Sequence, residues 1–296
     1  MLAPIDKLER GGNRIIQIEV TRICTLNCSN CTRLLPFRRD EKHMGVDVFR
    51  EAVRSLADWP GVIGIFGGNP PCHPRFADLM AILVEEIPDQ RHRGLWANDL
   101  LKHGELVRDV FYPHGMFNLN AHADAAAAAE ISKWLPGRLI ESSRTTPAWH
   151  GPIMMDRADY GVTDEAWTAI RENCDINRNW SAIVMERDGK PHAYFCEIAG
   201  ALDGVRKENN GVAVEPGWWR WRMDRFERQV GQCCDRGCGV PLRLKGHVDH
   251  EETYDLSPAW VGAQTSRRGC AVKVHHEIPE EKARELTDYM RFRGER

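Results

Sequence analysis

Hydrophobic positions in the first half of the chain alternate between two periods. Short β-type runs recur at 14–21, 61–68, 93–99, 115–122 and 138–145. Between these runs, apolar residues fall at helical spacing, as at Phe49, Val53 and Leu56. This alternation predicts a parallel sheet with crossover helices, either barrel-like or doubly wound. In both layouts, ligands bind at the carboxyl ends of the strands.

The pattern changes near residue 174. Up to that point, 100–111, the alanine-rich 123–135 and 163–173 all favour helices. After it, two β-type runs flank Asp188-Gly189 within 180–196, a dipeptide typical of hairpin turns. We therefore predict an α/β domain over 1–173 and a smaller α+β module over 174–296.

Composition narrows the class of protein. With 296 residues and 42% hydrophobic content, the chain can bury a sizeable core. A net charge of −3 gives no overall attraction to nucleic acid or an anionic membrane. No stretch has the length and apolarity of a signal peptide or a membrane span, so we expect a soluble, cytoplasmic protein. The ten cysteines are too sparse for a disulfide scaffold, and clustered cysteines in a reducing compartment favour metal binding or catalysis.

Three cysteines follow the first β-type run. Cys24, Cys28 and Cys31 are too close for a regular element to separate them, yet all three can converge on one centre. Soft thiolates favour zinc or iron–sulfur clusters, and three of them suit a cubane cluster with one iron left open. A structural zinc site would need a fourth protein ligand, and the next histidine is only at His43.

The segment Cys24-Thr-Leu-Asn-Cys28-Ser-Asn-Cys31 resembles the signature of the radical S-adenosylmethionine (radical SAM) superfamily. Members fold as a partial (β/α)6 TIM-like barrel, which is therefore the implied fold of 1–173. The resemblance implies that the three cysteines are catalytic ligands of a [4Fe–4S] cluster whose fourth iron binds SAM. Reductive cleavage would then give a 5′-deoxyadenosyl radical that abstracts hydrogen from a substrate. Many members have an aromatic residue before the third cysteine, where this chain has Asn30.

A glycine turn strengthens the resemblance. FGGNPP (66–71) ends the second β-type run, where the superfamily has a Gly-Gly-Glu-Pro-like turn whose backbone binds the SAM amine. Polar residues at later strand ends resemble further SAM contacts, although strand-end capping is the alternative interpretation there. The implied cofactor-binding residues are Gly67, Gly68, Asn69, Pro70, Asn98, Asn120, Ser143 and Arg144.

The later cysteines resemble the C-terminal twitch or SPASM extension of some radical SAM enzymes. There, one cysteine precedes a hairpin, a second closes it, and a later pair completes an auxiliary [4Fe–4S] site. A full SPASM domain typically draws on seven cysteines and only six follow residue 100, so the resemblance implies one auxiliary cluster. Its implied ligands are Cys174, Cys196, Cys234 and Cys238, with Cys233 and Cys270 as alternatives to Cys234 and Cys174. A zinc knuckle in 234–242 is the competing interpretation.

Other features are interpreted as structural. We expect Cys72 to be a small buried residue rather than a ligand, and His275 and His276 to be solvated. The aromatic run 217–222 is expected to pack between modules, the alternative being a platform for a sugar or a base. The segment 280–296 has the pattern of an amphipathic helix.

The implied function is hydrogen abstraction by a radical SAM enzyme with a flavodoxin or ferredoxin-type electron donor. We expect a small-molecule substrate such as a sugar or aminocyclitol. Oxidation is the leading reaction, ahead of epimerisation or dehydration of a sugar. A peptide-modifying maturase is the alternative. Such enzymes often carry an N-terminal recognition domain, and only about 13 residues precede the first β-type run. A non-enzymatic iron–sulfur or zinc module, including one that binds nucleic acid, is the further alternative. No pattern identifies a general base.

Overall fold

A mostly parallel sheet of eight strands forms the centre of the computed structural model. The structure describes residues 14–38, 42–121, 124–138, 140–141, 151–172, 174, 181–244, 253–263 and 271–279. The strands are β1 (Ile15–Thr21), β2 (Val62–Gly67), β3 (Arg93–Ala97), β4 (Met116–Asn120), β5 (Ile140–Glu141), β6 (Ser181–Arg187), β7 (Lys190–Tyr194) and β8 (Val212–Ala213). Their spatial order is β5-β4-β3-β2-β1-β6-β7-β8. The strands from β5 to β6 are parallel and the last two pairings are antiparallel. This confirms the predicted α/β class and is consistent with a partial barrel.

Seven helices of at least eight residues lie in the described ranges. They are α1 (Val46–Arg54), α2 (Phe76–Glu86), α3 (Gly104–Phe111), α4 (Ala125–Trp134), α5 (Asp164–Glu172), α6 (Glu197–Arg206) and α7 (Arg222–Gln229). Local chemistry explains their limits: Asp124, for example, accepts hydrogen bonds from the first free amides of α4 at Ala126 and Ala127. No helix in these ranges is both long and apolar enough to cross a membrane.

The two faces of the sheet differ in chemistry. On β1, the buried Ile16, Ile18 and Val20 alternate with polar residues. Right-handed crossovers between consecutive parallel neighbours place α1 to α4 together on one face. We call the opposite face of the sheet the inner face. Strand register places eight residues on it: Gln17, Glu19, Gly64, Phe66, Gly94, Trp96, Met116 and Asn118.

The predicted hairpin joins the same sheet. Asp188 and Gly189 form its turn with φ values of 50° and 71°, and β6 pairs in parallel with β1 from Ile15↔Ser181 to Ile18↔Val184. The sheet therefore continues across the boundary predicted at residue 174. Whether 1–173 and 174–296 act as separate domains stays a prediction.

The aromatic run packs against α1 and its loop. Trp218 is fully buried and its Nε1 donates to Ser55 Oγ at 3.2 Å. The Trp219 ring meets the Trp59 ring edge-on, with centroids 4.9 Å apart. These two tryptophans therefore serve packing, as the preferred interpretation predicts.

A second sheet lies in the C-terminal part of the described chain. It pairs β9 (Thr253–Leu256) and β10 (Ala271–Val274) in parallel. Met154 bridges to Leu256 of β9 and also to Cys238, so this sheet is attached to the cysteine-rich segment. The helix predicted at 280–296 lies outside the described residues.

Candidate functional site

The first three cysteines lie in the loop that leaves the carboxyl end of β1. All three are partly exposed. Burial raises the pKa of the Cys28 thiol, and the nearby thiols of Cys31 and Cys24 raise it further. Burial also raises the pKa of Cys31. The mutual influence shows that the loop brings the three thiols into one neighbourhood, at the edge of the sheet where the sequence predicts a ligand site.

The spacing of the thiols bears on which metal group they fit. Among the described residues, no three His, Cys, Asp or Glu side chains surround a point where they could hold a metal ion. A zinc ion about 2.3 Å from each thiolate would require the sulfurs to be within about 4 Å of one another. A cubane cluster binds each thiolate at a different iron and so accepts a wider spacing. As a set of three soft thiolates, the loop has the donor chemistry that a [4Fe–4S] cluster requires.

The glycine turn after β2 lies directly against the cysteine loop. Gly68 N donates to Thr21 O at 2.7 Å, and Asn69 N donates to Ile23 O at 2.8 Å. A Cβ on Gly67, where φ is 150°, would lie 2.2 Å from Thr21 O, and one on Gly68 would lie 2.4 Å from Ile23 O. Both glycines are thus required for the close approach of two backbones. Contact of this turn, including Pro70, with SAM stays a prediction.

Two asparagines connect the strand ends to the cysteine loop. Asn69 is fully buried; its Nδ2 donates to Asp99 O at 2.9 Å and its Oδ1 accepts from Asn98 N at 3.2 Å. Asn98 Nδ2 donates to Thr25 Oγ1 at 2.8 Å, and Asn98 Oδ1 accepts from the Cys24 thiol at 3.5 Å. The Asn98 side chain therefore holds the cysteine loop, and the Asn69 side chain holds the glycine turn against the end of β3.

The remaining predicted SAM contacts are distributed along the same edge. Asn120 ends β4, is partly exposed and is paired in register with Glu141 of β5. Ser143 and Arg144 lie outside the described residues. Cys72 is partly exposed and accepts a hydrogen bond from Asn69 Nδ2 at 3.8 Å.

The later cysteines form a second group. Cys196 caps α6, and its Sγ accepts from Ala199 N at 3.4 Å. Burial raises the pKa of Cys196, as do the thiols of Cys238 and Cys174. Burial likewise raises the pKa of Cys234, with contributions from Cys238 and Cys196, and raises the pKa of Cys238 to about 12 with a contribution from Cys174. The structure thus brings together the four predicted auxiliary ligands.

The two alternative ligands differ. Burial is the main cause that raises the pKa of Cys233, and the nearby Asp203 and Cys238 raise it further. Its thiol points to Ala199 O at 3.8 Å, so it lies at the border of the second group. Cys270 lies outside the described residues.

A buried ionic cluster links the two groups of cysteines. Arg38 binds both carboxylate oxygens of Glu19 at 2.7 Å, and Arg33 Nε donates to Glu19 Oε1 at 2.8 Å. Burial alone would raise the pKa of Glu19, but the charges of Arg33 and Arg38 outweigh it and lower that pKa to about 2. Arg33, two residues after Cys31, also donates to Glu197 O at 2.5 Å, next to Cys196. One guanidinium therefore bridges the backbones that carry both groups.

Sequence reasoning missed a contact at Asn30. This residue is 1% exposed and has φ 48°, and it exchanges two hydrogen bonds with the buried Asp255. Asp255 Oδ1 in turn lies 2.6 Å from His275 Nε2. The prediction that His275 is solvated is therefore wrong, because the ring is partly buried against a carboxylate. No local pattern could have paired residues 225 positions apart.

Comparisons with known proteins agree with the first group of cysteines. A family model described as the Radical SAM superfamily matches residues 18–110. No curated protein matches the chain significantly. Among solved structures, BtrN in complex with AdoMet and 2-DOIA is 17% identical with a TM-score of 0.45, and the match covers 75% of this chain and 91% of that one. Selenomethionine BtrN in an open conformation is 14% identical with a TM-score of 0.41, and the match covers 78% and 89%.

The family match includes the cysteine loop, the glycine turn and Asn98. Residues 18–110 are thus similar to the radical SAM superfamily in the region that forms this site.

Proposed function

We propose that this protein is a radical SAM enzyme built on a partial (β/α)6 barrel. The observation that carries the proposal is the match of residues 18–110, together with a cysteine loop seated on the glycine turn at the carboxyl edge of the sheet. Cys24, Cys28 and Cys31 would hold a [4Fe–4S] cluster and leave one iron for SAM. When bound, this pair supplies an electron and a 5′-deoxyadenosyl radical.

The chain's own residues have positioning roles. The backbone from Gly67 to Pro70 would orient the methionine part of SAM, with Asn98, Asn120, Ser143 and Arg144 as further contacts along the strand ends. Asn98 bonds to the cysteine loop at Thr25, and Asn69 joins Asn98 to the glycine turn, so the two asparagines connect the loop and the turn. The inner face would hold the substrate and keep water from the radical.

The second group of cysteines supports an oxidation. Cys174, Cys196, Cys234 and Cys238 would hold an auxiliary [4Fe–4S] cluster in a twitch or SPASM-like module over 174–296. Loss of a hydrogen atom from an alcohol carbon leaves a carbon radical, which becomes a ketone once a hydroxyl proton and one electron leave. An electron acceptor close to the substrate suits that step, so we favour oxidation of a sugar or aminocyclitol. Epimerisation or dehydration of a sugar is the next reaction we would expect after oxidation.

Reconstitution under anaerobic conditions tests the enzyme class. We expect about eight irons per chain, as two [4Fe–4S] clusters require, and 5′-deoxyadenosine from SAM with dithionite or a flavodoxin or ferredoxin donor. Tight zinc binding without SAM cleavage would instead support the non-enzymatic module. Deuterium transfer into 5′-deoxyadenosine from deuterated sugars, aminocyclitols or peptides then separates small-molecule chemistry from peptide maturation.

Cysteine variants test the division between the two sites. Cys28→Ala should abolish SAM cleavage, whereas Cys234→Ala should spare most cleavage and lose substrate turnover. Cys72→Ala is the matched control and should keep the full iron content. If Cys28→Ala and Cys234→Ala show the same defect, the two-cluster division is wrong.

A further inference from the structure

Trp96 occupies an unusual position on the inner face. A Cβ on Gly64 or on Gly94 would lie 2.5 Å from Cζ3 of its indole ring. The benzo part of the ring therefore lies against the backbones of β2 and β3, where only glycine leaves room for it. Trp96 is nonetheless partly exposed, so part of its ring is open.

Apart from Glu197, a buried carboxyl group that hydrogen-bonds to the Gln17 side chain, the groups around this ring are polar and uncharged, or already paired. Asn118 is opposite Trp96 in the register of β3 and β4 and is partly exposed. Beyond the backbone pairing of the sheet, no side-chain hydrogen bond or ring contact involves Trp96 or Asn118 in the described part of the chain. Arg33 and Arg38, which reach the same face, are both bound to Glu19, so neither is left for an anionic ligand.

Gln17 adds a second observation that points to a ligand. It pairs in register with Gly64, the residue beneath the indole, so its side chain starts one strand from the ring. Adjacent strands are about 4.8 Å apart. Gln17 is 4% exposed, and its Oε1 has no hydrogen-bond partner among the described residues. A buried acceptor without a donor is costly, and a hydroxyl or amine of a ligand would supply one.

We propose that Trp96 is the floor of the substrate site and stacks against a small polyhydroxylated ring, neutral or amine-bearing. The inference rests on the proposed function and assigns the residues that would hold its ring substrate. Aromatic faces with a few convergent polar groups are typical of small-ligand sites, and a tryptophan face also attracts an ammonium group. Asn118 and Gln17 would hydrogen-bond to the ring substituents.

The position of Trp96 along β3 favours contact of its ring with the substrate rather than with the adenine of SAM. Trp96 lies two residues before Asn98, whose side chain contacts Cys24. At about 3.3 Å per residue, the indole is some 6–7 Å further from the cysteine loop along β3. SAM bound at the loop would lie above the ring, and the substrate would lie between SAM and the indole.

Anaerobic calorimetry of the reconstituted protein tests the assignment. The probes are SAM, D-glucosamine, myo-inositol and streptamine. We expect at least one ring compound to bind, and Trp96→Leu to weaken it about tenfold or more, the range for loss of a stacked aromatic ring. Trp96→Phe should retain part of the affinity, and Gly64→Ala, which must displace the indole, should also lower it. SAM affinity should stay within about twofold in all three variants, given its separation along the strand.

Trp134→Leu is the matched control. Trp134 is on α4, where its Nε1 donates to Glu130, and its loss should not change ring binding. The assignment fails if no ring compound binds the wild-type protein or if Trp134→Leu weakens binding equally. It also fails if Trp96→Leu lowers SAM affinity instead, which would assign the indole to the cofactor. If Trp96→Leu does not fold, Trp96→Phe and Gly64→Ala decide. Failure of the proposed function would be seen separately, as wild-type protein that neither binds nor cleaves SAM.

Discussion

Asn30 and Asp255 are joined by two hydrogen bonds, from Asn30 Nδ2 to Asp255 Oδ2 at 2.6 Å and from Asp255 N to Asn30 Oδ1 at 2.9 Å. Both residues are almost fully buried. Because Asn30 immediately precedes Cys31, the cysteine loop is attached to β9 in the C-terminal part of the chain. An aromatic residue at this position could not form either bond.

Asn30→Ala should therefore destabilise the fold. The change removes two hydrogen bonds to the buried Asp255, at about 0.5–1.5 kcal/mol each, although its carboxylate keeps the contact with His275. It also forces alanine into the left-handed region. We expect a loss of about 2–4 kcal/mol in the free energy of unfolding, measured by urea denaturation.

Asn209→Ala is the matched control for the backbone contribution. Asn209 has φ 55° but is exposed, so its replacement should cost only about 1 kcal/mol. Equal losses in the two variants would show that the hydrogen bonds to Asp255 contribute nothing.

The cluster of Glu19 with Arg33 and Arg38 predicts a dependence of stability on pH. The pKa of Glu19 is lowered from 4.5 to about 2, so its ionised form is favoured in the folded state. The stabilisation is complete above about pH 4.5 and is lost as the pH falls toward 2. Glu19→Gln should be strongly destabilised near neutral pH, because two buried guanidiniums lose their counter-ion.

The measurement is the difference in urea midpoint between wild type and Glu19→Gln from pH 6 to pH 3. The difference should be largest at pH 6 and should shrink below pH 4.5. Other carboxyl groups titrate in both proteins and cancel in the comparison. A difference that does not vary with pH would refute the assignment.

Gly68→Ala should disturb the cysteine loop. The added Cβ would lie 2.4 Å from Ile23 O, a backbone atom that cannot rotate away. We expect lower iron retention after reconstitution and weaker SAM binding, measured by iron analysis and calorimetry. Gly262→Ala is the control, since a Cβ there meets nothing within 4 Å. Full iron content in Gly68→Ala would contradict the prediction, because the cluster would then not depend on close packing of residue 68 against Ile23 O.

Asn98→Ala should loosen the same loop from the side of β3. It removes the hydrogen bond to Thr25 Oγ1, which remains when Cys24 is deprotonated as a cluster ligand. We expect iron to be lost faster to a chelator, with little change in the overall urea midpoint because the contacts are local. Asn98→Asp keeps the shape but cannot donate to Thr25, so it should lose iron at least as fast. Unchanged chelation rates in both variants would contradict the positioning role.

Local patterns were sufficient to predict much of the fold. β1 to β4 and the β6–β7 hairpin follow from apolar periodicity and from the Asp188-Gly189 turn, which depend on neighbouring residues only. The position of Cys24 and of the Gly67–Gly68 turn at one edge follows from the parallel arrangement, because the carboxyl ends of parallel strands coincide.

Long-range contacts could not be predicted in the same way. The close approach of Gly68 to Ile23 O depends on how two loops meet, and the stacking of Trp96 on Gly64 and Gly94 depends on strand register. His275 carries no local signal that it faces Asp255. Such pairings are set by tertiary packing, which sequence periodicity does not specify.

The pairing of β1 with β6 has a consequence for synthesis of the chain. Ile15 and Ser181 are partners in the sheet although they lie 166 positions apart in the sequence, so the strands meet only late in synthesis. At about 5–20 residues per second, β1 waits roughly 10–30 s on the ribosome before its second neighbour emerges. During that interval one edge of the strand that leads into the cysteine loop is unpaired and open to association with other chains. Slower translation of the first 180 codons should therefore increase aggregation, and a chaperone that shields strand edges should raise the yield of folded protein.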